Sequence, residues 1–138
     1  MTEPSFRAVL VALAASQLGL AVWMAVSPGS FFDAIAGFGA QNDHYIRDVA
    51  VFYLAIGGGL AVAALRPSWR FPVLAISATW YLAHAVNHLL DIGESDPDWV
   101  GPVDFVAILV TGLLLLGLAV LAARHDVQAS ASRPGPPS

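Results

Sequence analysis

The stretch VDFVAILVTGLLLLGLAVLAA, residues 103–123, carries a single charge, Asp104, near its start. A helix of about 20 such residues, rising 1.5 Å each, crosses the roughly 30 Å hydrocarbon core of a bilayer. Three more stretches share this character, at residues 6–26, 45–65 and 72–90. The breaks between them hold turn-forming residues: SPGS (27–30), RPSWRFP (66–72) and DIGESDPDWVGP (91–102). The chain therefore reads as all-α, an integral membrane four-helix bundle over residues 1–124. Residues 125–138, which end in QASASRPGPPS, read as a disordered cytoplasmic tail.

Composition agrees. Hydrophobic residues make up 57% of the 138 residues and charged ones 12%, whereas soluble domains run near a quarter charged. The lipid bilayer is the expected partner. A net charge of −4 with no basic run argues against nucleic acid. The absence of cysteine excludes disulfides, thiolate metal sites and iron–sulfur clusters. All basic residues are arginine, a coding bias that suggests a bacterial, GC-rich genome and hence the bacterial inner membrane.

Arginine placement sets the orientation. Arg7 precedes the first span, Arg66 and Arg70 lie in the second connection, and Arg124 follows the fourth span. The third connection holds Glu94, Asp96 and Asp98 and no arginine, and reads as a solvated outer loop. Both termini are thus expected in the cytoplasm. Arg47 is the exception, beside Asp48, with which it can pair locally. A cleaved signal peptide is the competing reading of the first span, since AVS (25–27) resembles a cleavage site. The apolar run is too long for a typical h-region, and Pro28 would hinder cleavage. Small residues mark the expected packing faces: Ala15 and Gly19, Gly57 and Ala61, and Gly112.

The polar residues are less expected. WYLAHAVNHLLD, residues 80–91, sets His84, His88 and Asp91 on one stripe of the third span. NDHYIRDV, residues 42–49, sets His44 and Asp48 one turn apart at the start of the second. Asp104 opens the fourth. With alternating spans, all of these fall in the outer third of the bilayer, where ionisable groups are costly and commonly functional.

Three readings compete. As a metal site, His44, Asp48, His84, His88 and Asp91 would ligate iron, copper or zinc, with Asp91 or Asp104 as ligand or orienting partner. Haem would instead use His44 with His84 or His88 as its axial pair. As a quinone site, a histidine and an acid would bond the carbonyls, with Trp80, Tyr81 and Phe52 as apolar walls. The third reading is a polar network that only joins helices, as in a structural or accessory subunit. There His88 pairs with Asp91 or Asp48, and Arg47 with Asp43 or Asp104. Gln17, alone near the middle of the first span, is expected to make an interhelical hydrogen bond. A homo-oligomer or membership of a larger membrane complex fits any of the three.

N-x-H-x-x-R-D at 42–48 and H-x-x-x-H at 84–88 resemble small bacterial four-helix membrane proteins of the DoxX-like group, over about residues 6–124. Some members of that group are linked to quinone-coupled sulfur oxidation, so the resemblance implies a redox role. No nucleophile–base pair or phosphate loop is apparent, and no enzyme activity is assigned.

Overall fold

The computed structural model describes residues 2–35 and 37–131, which form five helices and no strand among the described residues. Helix α1 (Glu3–Val26) begins before its apolar run, because the Thr2 hydroxyl caps it by accepting from the Ser5 N–H at 3.4 Å. Pro28 lacks an N–H and opens the short helix α2 (Pro28–Ile35), where only a break was expected. Asn42 caps α3 (Asp43–Leu65), its side-chain oxygen accepting from His44 and Tyr45 N–H at 3.1 and 3.3 Å. A 3₁₀ turn at Pro67–Trp69 leads into α4 (Arg70–Leu90), and α5 runs Val100–Ala131. The last helix thus continues through part of the segment expected to be disordered. Residues 132–138 of that segment lie outside the described residues.

Glu3–Val26, Asp43–Leu65, Pro67–Leu90 and Val100–His125 are long and apolar enough to cross a membrane. Each buries only a narrow stripe. On α1 it is Phe6, Leu10, Ala14, Gln17, Ala21 and Met24; on α3 it is Ala50, Tyr53, Gly57, Leu60, Ala63 and Ala64. Steps alternating between three and four keep one seam facing a neighbour, the geometry of shallow left-handed crossings. The remaining surface is apolar and exposed, Val26 to 79%, Leu90 to 76% and Ile76 to 71%.

The closest packing is pairwise, α1 on α3 and α4 on α5, with α3 meeting α4 less extensively. Gly57 and Gly112 make these approaches possible. A Cβ on Gly57 would sit 2.8 Å from Leu18 Cγ, and one on Gly112 would sit 2.9 Å from Leu82 Cδ2. Gly19 and Ala15 do not serve this purpose: Gly19 has nothing within 4 Å of an added Cβ, and Ala15 is exposed. Their spacing was right and their rotation about the helix axis was not.

Arg70 closes the end of the bundle where α1 and α4 begin. Its Nη1 donates to Glu3 Oε2 at 2.7 Å, and its Nη2 donates to Oε1. The guanidinium also lies 4.9 Å from the Phe6 ring centroid, and Nε donates to the Ala63 carbonyl at 3.4 Å. One side chain therefore ties α1, α3 and α4. The starts of α1 and α4 share an end, so α3 and α5 run opposite to them.

At the other end the connections meet. Phe38 and Ser95 form an isolated antiparallel bridge, and the Asp96 N–H donates to the Gly37 carbonyl at 2.9 Å. Ser95 is buried and its hydroxyl accepts from the Gly101 N–H at 2.9 Å. The acidic connection is therefore only partly the solvated loop expected. Its middle is pinned to the first connection and to the start of α5.

Candidate functional site

Between the helix pairs, toward the bridged connections, lies a cavity of about 440 Å³. Its walls come from every helix: Gln17 and Met24 of α1, Phe31 of α2, Val49 and Tyr53 of α3, Tyr81, His84 and His88 of α4, and Asp104 and Ile108 of α5. Phe38, from the connection, forms part of the roof. The lining is mostly apolar with a few convergent polar groups, the usual make-up of a small-molecule site.

Local phase explains which residues arrive. On α4, positions 81, 84 and 88 follow the three–four step and share a face. On α3 the inward face is Tyr45, Val49 and Tyr53, each four residues from the next. His44 and Asp48 precede Tyr45 and Val49 by one residue, so each is turned about 100° away. They pair with one another on the outside, His44 Nε2 to Asp48 Oδ2 at 3.5 Å, with side chains 80% and 58% exposed. Asp91 is exposed at the C-cap of α4. Arg47 pairs with Asp43 at 3.9 Å rather than with Asp48 or Asp104.

The five metal ligands expected from the sequence are thus divided. His84 and His88 line the cavity, whereas His44, Asp48 and Asp91 do not. Asp104, expected as a ligand or orienting partner, is the carboxylate that shares the cavity wall with the two histidines. No group of three or more His, Asp or Glu side chains among the described residues is placed to hold one metal ion. An axial haem pair with His44 would need that side chain turned inward. The cause is azimuth: helical rise sets these residues at a common depth, but not on a common face.

The polar floor of the cavity is built around Tyr81. Its hydroxyl donates to Gln17 Oε1, so the lone amide of α1 makes the interhelical bond expected of it. Tyr53 lies edge-on to Tyr81, centroids 6.2 Å apart. His84 stacks on Trp80 with centroids 4.8 Å apart, and Trp80 stacks in turn on Phe52 at 6.4 Å. Trp80 therefore backs the wall without belonging to it, and Phe52 lies behind it. His84 and His88 meet edge to face at 4.7 Å, and Phe38 meets His88 edge to face at 5.0 Å.

One atom has no counterpart. Nδ1 of His88 is buried and bonds to nothing among the described residues. A buried imidazole nitrogen without a partner costs free energy, and such atoms are uncommon in folded proteins. The helix-joining network would have satisfied it through Asp91 or Asp48, and neither carboxylate does so. His88 lines the cavity, and a turn of its ring would bring this buried nitrogen to face a ligand there.

Neither the roof nor Tyr53 was found from the sequence. Tyr53 is eight residues after Tyr45, so the α3 stripe could have revealed it. Phe38 could not have been found this way, because its place depends on a bridge between two connections. Compared with models of protein families, with curated proteins and with solved structures, the chain matches none of them.

Proposed function

We propose that the chain is a multi-pass protein of the bacterial inner membrane that binds a quinone-type molecule in the cavity of its outer half. The observation that carries this reading is the cavity itself. It is about 440 Å³, largely apolar, and its hydrogen-bonding groups include Gln17, Tyr53, Tyr81, His84, His88 and Asp104. A quinone is a flat apolar ring with two opposed carbonyl acceptors. An imidazole N–H can donate to such an acceptor, and aromatic walls suit the ring faces.

Membrane insertion is supported by the exposed apolar faces, which in water would form patches far larger than soluble monomers carry. Cytoplasmic termini are supported by Arg7, Arg66, Arg70 and Arg124, which gather toward the end where α1 and α4 begin and α3 and α5 finish. The cavity then opens its chemistry toward the outer leaflet.

The test uses protein purified in detergent without an oligohistidine tag. Benzoquinones quench tryptophan fluorescence at short range, and Trp80 lies directly behind His84. Titration with a decyl-substituted benzoquinone is expected to quench saturably, to raise Tm, and to lose most of its amplitude in Trp80→Phe. Absence of both saturable quenching and a Tm shift, with benzo- and naphthoquinones alike, overturns the reading.

A metal ion or haem is the second reading, favoured by the adjacency of His84 and His88 on the cavity wall. Near-stoichiometric iron, copper or zinc, lost in His84→Ala/His88→Ala, would select it.

A further inference from the structure

Building on the quinone reading, we propose that the cavity opens sideways, between α1 and α5, and that its ligand carries a hydrocarbon tail that leaves through this gap into lipid. The helix packing is asymmetric. α1 is packed along α3 and α5 along α4, but α1 and α5 make no comparable approach. Cavity-wall residues differ in exposure in the same sense. Tyr53 and Tyr81, on the α3–α4 side, are buried, whereas Ser16 of α1 and Ala107 of α5 line the cavity and are exposed; of the α3 wall residues only Tyr45, near the connections, is exposed. At the end of the cavity Phe31 and Ile35 of α2 and the bridged Phe38 contribute to the wall, whereas among the described residues no helix packing closes the flank between α1 and α5.

The flank of this gap is suited to lipid. Next to Ala107 on α5, Val103, Val106 and Val110 are all more than half exposed. Among the described residues of the cavity lining the charged one is Asp104, on the wall itself. A water-soluble ligand would gain nothing from an entrance in such a surface, whereas one already dissolved in the bilayer meets it directly.

Volume sets the division of the ligand. Pockets for whole drug-sized molecules run about 300–1,000 Å³, and this cavity falls in the lower half of that range. It suits a ring-sized head group. A long alkyl or isoprenoid chain does not fit beside it and must continue through the opening, where burial in lipid costs nothing. The head would lie against His84, His88 and Tyr81, and the tail would pass between Ser16 and Ala107.

The gap is tested by narrowing it. Ser16→Phe and Ala107→Phe, singly and together, add bulk at two exposed positions. Val110→Phe is the control on the same exposed flank, outside the cavity wall. Protein in phosphatidylcholine vesicles is titrated with decyl-benzoquinone and with a tail-less dimethoxy-benzoquinone, reading tryptophan quenching, and Tm confirms that each variant is folded. The double variant is expected to weaken the tailed quinone by about tenfold or more and to leave the tail-less one near the wild-type value. Val110→Phe should change neither. Equal effects on the two quinones in the double variant, whether loss or no change, overturn the lateral opening. Wild-type protein that binds neither quinone overturns the quinone reading and this inference with it.

Discussion

Tyr81 donates its hydroxyl hydrogen to Gln17 Oε1, joining the middle of α4 to the middle of α1 beneath the cavity. Both side chains are buried, Tyr81 to 3% exposure and Gln17 to 4%. An amide this buried that loses its partner is poorly compensated. Tyr81→Phe should therefore lower stability by about 1 kcal/mol, in the range measured for interhelical bonds in membranes. Gln17→Leu should cost a similar amount. The double variant should cost much less than the sum, because the second change removes a group already left unpaired. Additive losses in detergent denaturation would show that the bond contributes nothing.

At the opposite end of the bundle, the Glu3–Arg70 pair makes an asymmetric prediction. Arg70 is buried, bonds the Ala63 carbonyl and lies over Phe6, whereas the Glu3 side chain is 65% exposed. Arg70→Ala should lower Tm most, since it removes the cation, the carbonyl bond and the aromatic contact together. Arg70→Lys should fall between, because an ammonium cannot match the carboxylate with two parallel bonds. Glu3→Gln should have the smallest effect, and that effect should shrink in high salt. The order of the three Tm values is the check, and an equal loss for Glu3→Gln and Arg70→Ala would refute it.

Adjacent glycines on α3 should respond oppositely to the same change. A Cβ on Gly57 would press on Leu18 side-chain atoms at 2.8 and 2.9 Å and on its backbone nitrogen at 3.1 Å. Overpacking of that kind costs about 1–3 kcal/mol. Gly58 has open space where its Cβ would be, and alanine is the better helix former by up to about 1 kcal/mol. Gly57→Ala should lower Tm, and Gly58→Ala should leave it unchanged or raise it. Equal responses would mean that α1 and α3 do not cross where Leu18 meets Gly57.

These contrasts also show how far the sequence could be read. Hydropathy and length revealed the long helices, because a run such as 103–123 has few other ways to satisfy its backbone in lipid. Depth was also legible, since rise per residue is constant: His44, Asp48, His84, His88, Asp91 and Asp104 all fall toward the same end. Azimuth was legible only in part. Small residues marked Gly57 as a packing position on α3, but its partner Leu18 carries no such local signal. The short helix α2 escaped notice because an eight-residue segment has too little periodicity, and the Phe38–Ser95 bridge because it joins residues far apart in sequence.

The division between α3 and α4 makes the sharpest test of the site. His44 and Asp48 sit outside the cavity, and His84 and His88 line it. Replacing the outer pair, His44→Ala/Asp48→Ala, should leave quinone quenching and Tm essentially unchanged, since an exposed i, i+4 pair contributes about 0.3–0.5 kcal/mol at most. His88→Leu should act in the opposite sense on the two readouts. Removing the orphan Nδ1 takes away an unsatisfied buried group, so stability in detergent should hold or rise. Ligand affinity should fall by about tenfold or more, the worth of one hydrogen bond in an apolar site. A residue that only joined helices would lose stability on this change, so a drop in Tm with unaltered binding would return His88 to that role.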